Sequence, residues 1–377
     1  MTTESTVRLA TRGSDLALRQ AATVKDTLED RGYAVELVEV ETTGDQLRDE
    51  LIHRLGKTGA FVRSLDEKVM DGEVDAAVHS MKDVPTDQPE ELVVAGVPER
   101  KRPDDVLVTT DGATVGDLPE GATVGTSSLR RKAQLLAERD DLDIQPLRGN
   151  VDTRIQKLLA PALQAEHEER SDAEKERKEK VDDEDYEFPY DRTVEEWFDG
   201  ISEIQRQALG REVETEYDAI VLARAGLERA GLLHHVEYQS LPTTTYVPAP
   251  GQGALAITAR DSEFAVELSE TLDHPRSRAE TTVERTVLDE LGGGCVAPLG
   301  VHAVLQGSVV RTTVRVLDRD GEEEVKATRD LDATRHIDAA QSFAADLADQ
   351  GADDLIAQAK REDGNDDAAT AQGADGE

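Results

Sequence analysis

Cys295 is the single thiol of a 377-residue chain, and it stands in Leu291-Gly292-Gly293-Gly294-Cys295-Val296-Ala297-Pro298. Alone, it cannot form an internal disulfide, yet it can carry a covalent group. The glycines before it remove side chains that would crowd a bulky attachment. The competing reading is a small buried hydrophobe in a turn, the usual fate of a free cysteine. What separates the two is whether the chain also supplies groups able to handle whatever the sulfur carries.

Two further constellations bear on this. The run Ala77-Val78-His79-Ser80-Met81-Lys82-Asp83-Val84-Pro85 leaves an apolar strand and reaches a proline-stopped turn. His79, Ser80, Lys82 and Asp83 therefore fall at the carboxyl end of a strand, where α/β proteins build sites. An Asp beside a Lys there suits a general acid, or a carboxylate facing a cation, with a plain turn cap as the alternative. His79 reads more readily as a core histidine with its hydrogen bonds satisfied.

In Gly125-Thr126-Ser127-Ser128-Leu129-Arg130-Arg131-Lys132, a strand ends and a helix begins. The N–H groups of Thr126, Ser127 and Ser128 are expected to be free to hold an anion. Arg130 and Arg131 in the first helical turn oppose the helix dipole, a conflict that an anion bound by both would resolve. Arg12, Arg148, Arg154 and Arg229 also stand near strand ends. Together these arginines suggest a basic cleft whose planar forks could hold several carboxylates at once. No GxGxxG or P-loop pattern occurs, Gly251-Gln252-Gly253 being too short, and no His/Cys cluster has metal-ligand spacing.

The elements that must position these residues follow an alternating pattern. Short apolar runs at 7–10, 35–40, 76–79, 92–97, 106–109, 122–125 and 219–223 read as strands, separated by helical patterns such as Ala17, Ala21, Val24 and Leu28. This argues for a largely parallel α/β arrangement. From about 275 the pattern changes to a helix, strands near 301–305, 312–317 and 324–329 with a turn at Asp320-Gly321, and a last helix. That is a small α+β unit with a three-stranded antiparallel sheet. Residues 164–187 are a charge run, read as a solvated segment, followed by an amphipathic helix over Val194, Trp197, Phe198, Ile201 and Ile204. The end of the chain, rich in Asp, Ala and Gly, is expected to be disordered.

Asp plus Glu number 81 against 43 Lys plus Arg, a net charge of −38 spread along the whole length. Such a surface repels nucleic acid and anionic membranes, so neither is expected as a partner. It also points to a cytoplasm of very high salt, where screening shortens to a few ångströms. No signal peptide and no membrane span is expected, and the reduced thiol fits a cytoplasmic location.

The motifs together resemble the porphobilinogen deaminase (hydroxymethylbilane synthase) family. They are Leu9-Ala10-Thr11-Arg12-Gly13-Ser14, 78–85, 125–131, Arg148-Gly149-Asn150-Val151-Asp152-Thr153-Arg154, 218–223, Pro250-Gly251-Gln252-Gly253-Ala254-Leu255 and Gly293-Gly294-Cys295. The resemblance implies a dipyrromethane cofactor held by a thioether to Cys295. It also implies head-to-tail condensation of four porphobilinogen molecules, with ammonia lost each time, to give hydroxymethylbilane. Asp83 matches the catalytic acid, with Lys82 beside it. Lys82, Asp83, Ser127, Ser128, Arg130 and Arg131 match cofactor-binding positions; Arg12, Ser14, Arg148, Arg154, Arg229 and Gln252 match substrate-binding ones. Ser80 and Thr126 match supporting positions.

By the same resemblance, two lobes like those of periplasmic binding proteins enclose a cleft: domain 1 at 1–102 and 250–270, domain 2 at 103–249. Domain 3, 271–358, carries Cys295, and 359–377 forms the tail. A monomer is expected. Two features depart from the family pattern. Thr58 stands where the family has a lysine, within a lid-like stretch Thr42–Gly59 that has Lys57 one place earlier. An acidic insert occupies about 161–214, read as a halophilic embellishment without a catalytic role. The competing reading, a non-enzymatic two-lobed anion-binding protein, explains the arginines but neither Cys295 nor Asp83. A cysteine hydrolase would need a paired base that no motif supplies.

Overall fold

The computed structural model describes residues 6–40, 58–180, 186–293 and 297–373. The lid-like stretch up to Lys57, and Cys295 itself, lie outside the described residues. From the N-terminus run β1 (Val7–Arg12), α1 (Asp15–Glu29), β2 (Val35–Val40), α2 (Thr58–Met70), β3 (Ala76–Ser80), a 3-10 turn (Met81–Asp83) and β4 (Leu92–Gly96). The chain crosses to β5 (Asp105–Thr109), β6 (Thr123–Gly125), α3 (Leu129–Leu136), β7 (Asp143–Gln145) and α4 (Val151–Glu179). There follow α5 (Val194–Gly200), α6 (Glu203–Leu209), β8 (Ala219–Ala223), α7 (Arg224–Ala230) and β9 (Glu237–Ser240). It returns through β10 (Leu255–Arg260) and α8 (Glu263–Leu272) to α9 (Pro275–Glu290), β11 (Leu299–Gln306), β12 (Val309–Leu317), β13 (Glu324–Asp332), α10 (His336–Ala348) and α11 (Ala352–Gly373).

The expected fold class holds, two mixed α/β sheets and a three-stranded antiparallel one, but parallel pairing does not predominate: each five-stranded sheet has two parallel and two antiparallel pairs. The five-stranded sheets have orders β2-β1-β3-β10-β4 and β7-β6-β8-β5-β9. In the first, β1 is parallel to β2 and β3, and β10 is antiparallel to β3 and β4. In the second, β6 is parallel to β7 and β8, and β5 is antiparallel to β8 and β9. The plans are the same. In each lobe the fourth place goes to the first strand after the chain crosses over, β5 on the way out and β10 on the way back.

Burial on both faces explains the short apolar strands: every residue of β5 is buried, and β3 is buried except for Ser80. Helix α1 turns Ala21, Val24 and Leu28 onto the first sheet, and the Ser14 hydroxyl accepts from the Ala17 N–H at its start, a cap worth about 1 kcal/mol. In the C-terminal unit, Val283, Val287 and Leu291 of α9 meet Phe343, Ala344 and Leu347 of α10 over the antiparallel sheet.

Two expectations change and one is made definite. Residues 359–377 do not start a structureless tail, because α11 continues to Gly373; Leu355, Ile356 and Ala359 are buried, and alanines that favour helix follow. The charge run, expected as a solvated helix or loop, is a helix: it is the outer half of the 29-residue α4, laced by pairs such as Glu166–Arg170 and Glu176–Lys180. The amphipathic helix is two helices, restarted by a capping box at Ser202. Trp197 and Ile204 are buried as expected, while Phe198 is exposed. Strands β7, β9 and β10 were missed, the first two being only 3 and 4 residues long.

Candidate functional site

Each sequence-predicted cluster lies just past the carboxyl end of a parallel strand. Arg12 ends β1 and Ser14 caps α1; Ser80 ends β3, and Lys82 and Asp83 follow it; Thr126 to Arg131 follow β6; Arg148 follows β7, with Arg154 in the first turns of α4. Arg229 lies in α7, after β8. Within each sheet these strands run parallel, so the clusters share one edge of their sheet. Lys82 reports how close they come. Burial pulls its pKa down; Asp83 and Asp105 push it back up, while Arg131 and Arg154 lower it further. Lys82 and Asp83 belong to the first lobe, the other three to the second.

The anion that Arg130 and Arg131 call for is supplied from within. Asp105, at the start of β5, is 1% exposed. Its Oδ2 accepts from Arg130 Nη2 at 2.8 Å; its Oδ1 accepts from Arg131 Nε at 3.1 Å, Arg131 Nη2 at 2.7 Å and Gln252 Nε2 at 2.9 Å. Arg130 Nη1 donates to the Val247 carbonyl, and Arg131 Nη1 to that of Val221. Burial alone would raise the Asp105 pKa, but the two guanidinium charges and their hydrogen bonds outweigh it and hold the carboxyl far below its usual range. Sequence reasoning missed Asp105, which looks like one more acidic residue in an acidic chain.

This cluster sits where the two crossings run side by side. Lys101 N–H donates to the Gly253 carbonyl at 3.1 Å, and Gln252 Nε2 to that of Pro103 at 2.6 Å. A second buried pair joins the crossing to α9. Arg100 Nη1 and Nη2 meet Glu284 Oε1 and Oε2 at 2.8 and 3.0 Å, and its Nε donates to the Gln252 carbonyl. Glu284 also accepts from the N–H groups of Gly251 (2.7 Å) and Ala303 (2.8 Å).

Other cations in the cleft have no such counter-ion. Arg154 donates from Nε to the Gly149 carbonyl, and Arg229 from Nη2 to that of Gly253. Burial brings both pKa values down to about 10, helped in Arg154 by the charge of Arg131 and opposed in Arg229 by Glu228. Among the described residues no carboxylate forms an ion pair with Arg154, Arg229 or Lys82. Half-buried cations held this way form a site that lacks negative charge.

The helix-start anion site is corrected in part. The Thr126 N–H is taken by the Gln145 carbonyl, because pairing with β7's strand continues past β6, and the Ser128 N–H is taken by the Thr126 hydroxyl. Ser127 Oγ donates to the Leu147 carbonyl, and the Ser128 hydroxyl caps α3. His79 is the core histidine expected: its Nε2 lies 2.9 Å from Asp66 Oδ1 and 3.0 Å from Thr258 Oγ1. Two of the glycines before Cys295 have packing reasons. Gly292 ends α9's turn at φ +64°, and a Cβ on Gly293 would come within 2.7 Å of Leu299 and 2.8 Å of Leu288.

The porphobilinogen deaminase "dipyromethane cofactor binding domain" model matches residues 7–166 and 205–267, and the family's C-terminal domain model matches 279–349. A protein of Halobacterium salinarum named "Probable porphobilinogen deaminase" is 55% identical, over 94% of this chain and 98% of its own length. The "Porphobilinogen deaminase" of Sulfurimonas denitrificans is 34% identical, over 93% and 96%. Among solved structures, a periplasmic substrate-binding protein of an ABC transporter from Coxiella burnetii is similar at a TM-score of 0.35 and 13% identity, covering 74% of this chain and 96% of that one.

Proposed function

The chain belongs to the porphobilinogen deaminase family, and from that premise we propose how its own residues divide the work. The enzyme is a transferase that joins four porphobilinogen molecules head to tail into hydroxymethylbilane. Each condensation forms one carbon–carbon bond, expels ammonia and releases a ring proton; water then frees the linear product. Its cofactor, dipyrromethane, supplies the primer when bound.

The residues present fit that group. Every pyrrole of primer or substrate carries two carboxylates, and a buried carboxylate without a partner is costly. The described cleft offers the complement: Lys82, Arg154 and Arg229, partly withdrawn from water and without ion-pair partners. Arg12, Arg148, Ser14, Ser127 and Ser128 would add donors around them. Cys295 would be the thioether anchor.

Asp83, beside Lys82 on the turn after β3, would be the catalytic acid. Its carboxyl would give a proton to the departing amine and then face the cationic carbon and the pyrrole N–H. Lys82 would keep a positive charge near the acidic arms. Arg130, Arg131 and Gln252 would act from the Asp105 cluster, holding the lobes' crossing in register. The observation that carries this reading is that Arg154 and Arg229 donate to main-chain carbonyls and form no ion pair among the described residues.

The enzyme would work as a cytoplasmic monomer without nucleic-acid partners, as its charge of −38 suggests. No helix among the described residues is long and apolar enough to cross a membrane. The insert would serve stability in salt, since its described aromatics stack on its own arginines: Tyr190 and Trp197 on Arg170, Phe188 on Arg177.

Intact mass tests the reading. The purified enzyme should exceed the bare chain by two pyrrole units, and Cys295→Ser should remove both the excess and the activity. A bare mass in active enzyme, or an active Cys295→Ser variant, would sink it. The non-enzymatic anion-binder would show the bare mass and no turnover.

A further inference from the structure

Helix α9 ends five residues before Cys295 in the sequence, and Arg285 on it reaches the main chain just past Lys82 and Asp83. Arg285 Nη1 donates to the Val84 carbonyl at 2.7 Å and Nη2 to the Pro85 carbonyl at 2.8 Å. These carbonyls directly follow Asp83. No carboxylate among the described residues forms an ion pair with Arg285, so its fork is spent on the main chain. Placing a largely buried guanidinium on two carbonyls is costly unless their position matters.

Glu284, the preceding residue, holds a neighbour of the turn. It holds the Gly251 N–H, and Gly251 lies so close to the turn that a Cβ there would be 2.6 Å from Met81 Cγ and 3.3 Å from Lys82 N. The turn closes on itself only through the Val84 N–H to the Met81 carbonyl, at 3.2 Å. Such a short element has little internal rigidity, so its position depends on what holds it.

We propose that Arg285 is a positioning residue for Asp83, fixing the catalytic turn of the first lobe against the helix that precedes the cofactor cysteine in the sequence. The distance between the acid and the growing chain end would then be set by one rigid helix rather than by the mobility of either lobe. This rests on the reading of Asp83 as the catalytic acid.

The test compares Arg285→Met, Arg285→Lys and Asp83→Asn in the loaded enzyme. Arg285→Met should keep the two-pyrrole mass and a KM within about twofold of wild type. Its kcat should fall about 10- to 100-fold, the scale of a misplacement near 1 Å. The Val84 amide should exchange faster with solvent. Arg285→Lys, which can still reach one carbonyl, should regain part of kcat. An unchanged kcat in Arg285→Met, or a loss that follows loss of the adduct, would overturn the proposal. If Arg285→Met does not fold, Arg285→Lys decides alone: wild-type kcat with faster Val84 exchange refutes it. A fully active Asp83→Asn would instead overturn the reading of Asp83, so the two failures are distinguishable.

Discussion

Arg130 and Arg131 on α3 and Arg154 and Arg229 on α4 and α7 have the same chemistry and similar places in the sequence, each just past a strand. The fold treats them in opposite ways. The first two are 5% and 7% exposed and share the Asp105 carboxylate. The other two hold one main-chain carbonyl each and no acid among the described residues. A buried cation with a fixed counter-ion builds structure, whereas one left without it stores an unmet demand that a carboxylate ligand can satisfy. In a chain with 81 acidic residues, keeping acids away from Arg154 and Arg229 is the selective feature.

The sharpest way to break this contrast is to remove one charge from each set. Asp105→Ala leaves two buried guanidinium groups uncompensated and should cost about 3–5 kcal/mol, read as a large drop in melting temperature. Arg154→Leu should leave the melting temperature of the unliganded protein unchanged or slightly raised, because it removes a cation that burial already disfavours. The same variant should raise KM for porphobilinogen about tenfold or more, since a charged hydrogen-bonded pair contributes about 1.5–3 kcal/mol. Equal destabilisation by both changes would erase the distinction.

Acid sharpens it next. The Asp105 pKa in the fold lies below the unfolded value of about 3.9. Its contribution is therefore complete above about pH 4 and is lost as pH falls toward the folded value, where the unfolded chain binds the extra proton. The stability gap between wild type and Asp105→Asn, followed by denaturant titration, should be widest near neutrality and should narrow below pH 4. A gap constant down to pH 2 would mean that the charge of Asp105 is not what stabilises.

The smallest effect concerns salt. Raising KCl should raise the melting temperature of wild type by screening surface repulsion. It should leave the Asp105→Asn gap nearly unchanged, because that pair is out of reach of the ions. A gap that closes with salt would place Asp105 among the surface charges.

Much of this was legible before folding. Apolar runs made β1 to β6 and β8 readable, whereas β7 and β9 carry one apolar residue or aromatic each among polar ones, and β10, although buried, was not read as a strand. The motifs that carry Arg12, Asp83, Arg130, Arg131, Arg154 and Cys295 were visible because residue type and placement at strand ends are local properties. That His79 is a core residue could be weighed from its apolar strand. The helix dipole rightly indicated that Arg130 and Arg131 need an anion but could not say which one, because a dipole reports only the sign of the missing charge.

The amino-acid order by itself therefore determined the chemical inventory: one thiol, an Asp beside a Lys, a set of arginines, and strands able to aim them. Only the tertiary structure decided which charges meet. Asp105 reaches Arg130, Arg131 and Gln252 from 25, 26 and 147 residues away, and Arg285 reaches the Asp83 turn from 200. The first two pairings depend on how β5 and α3 meet within one lobe, and the last two on the chain crossing out and back between lobes. Local propensity carries no information about those crossings.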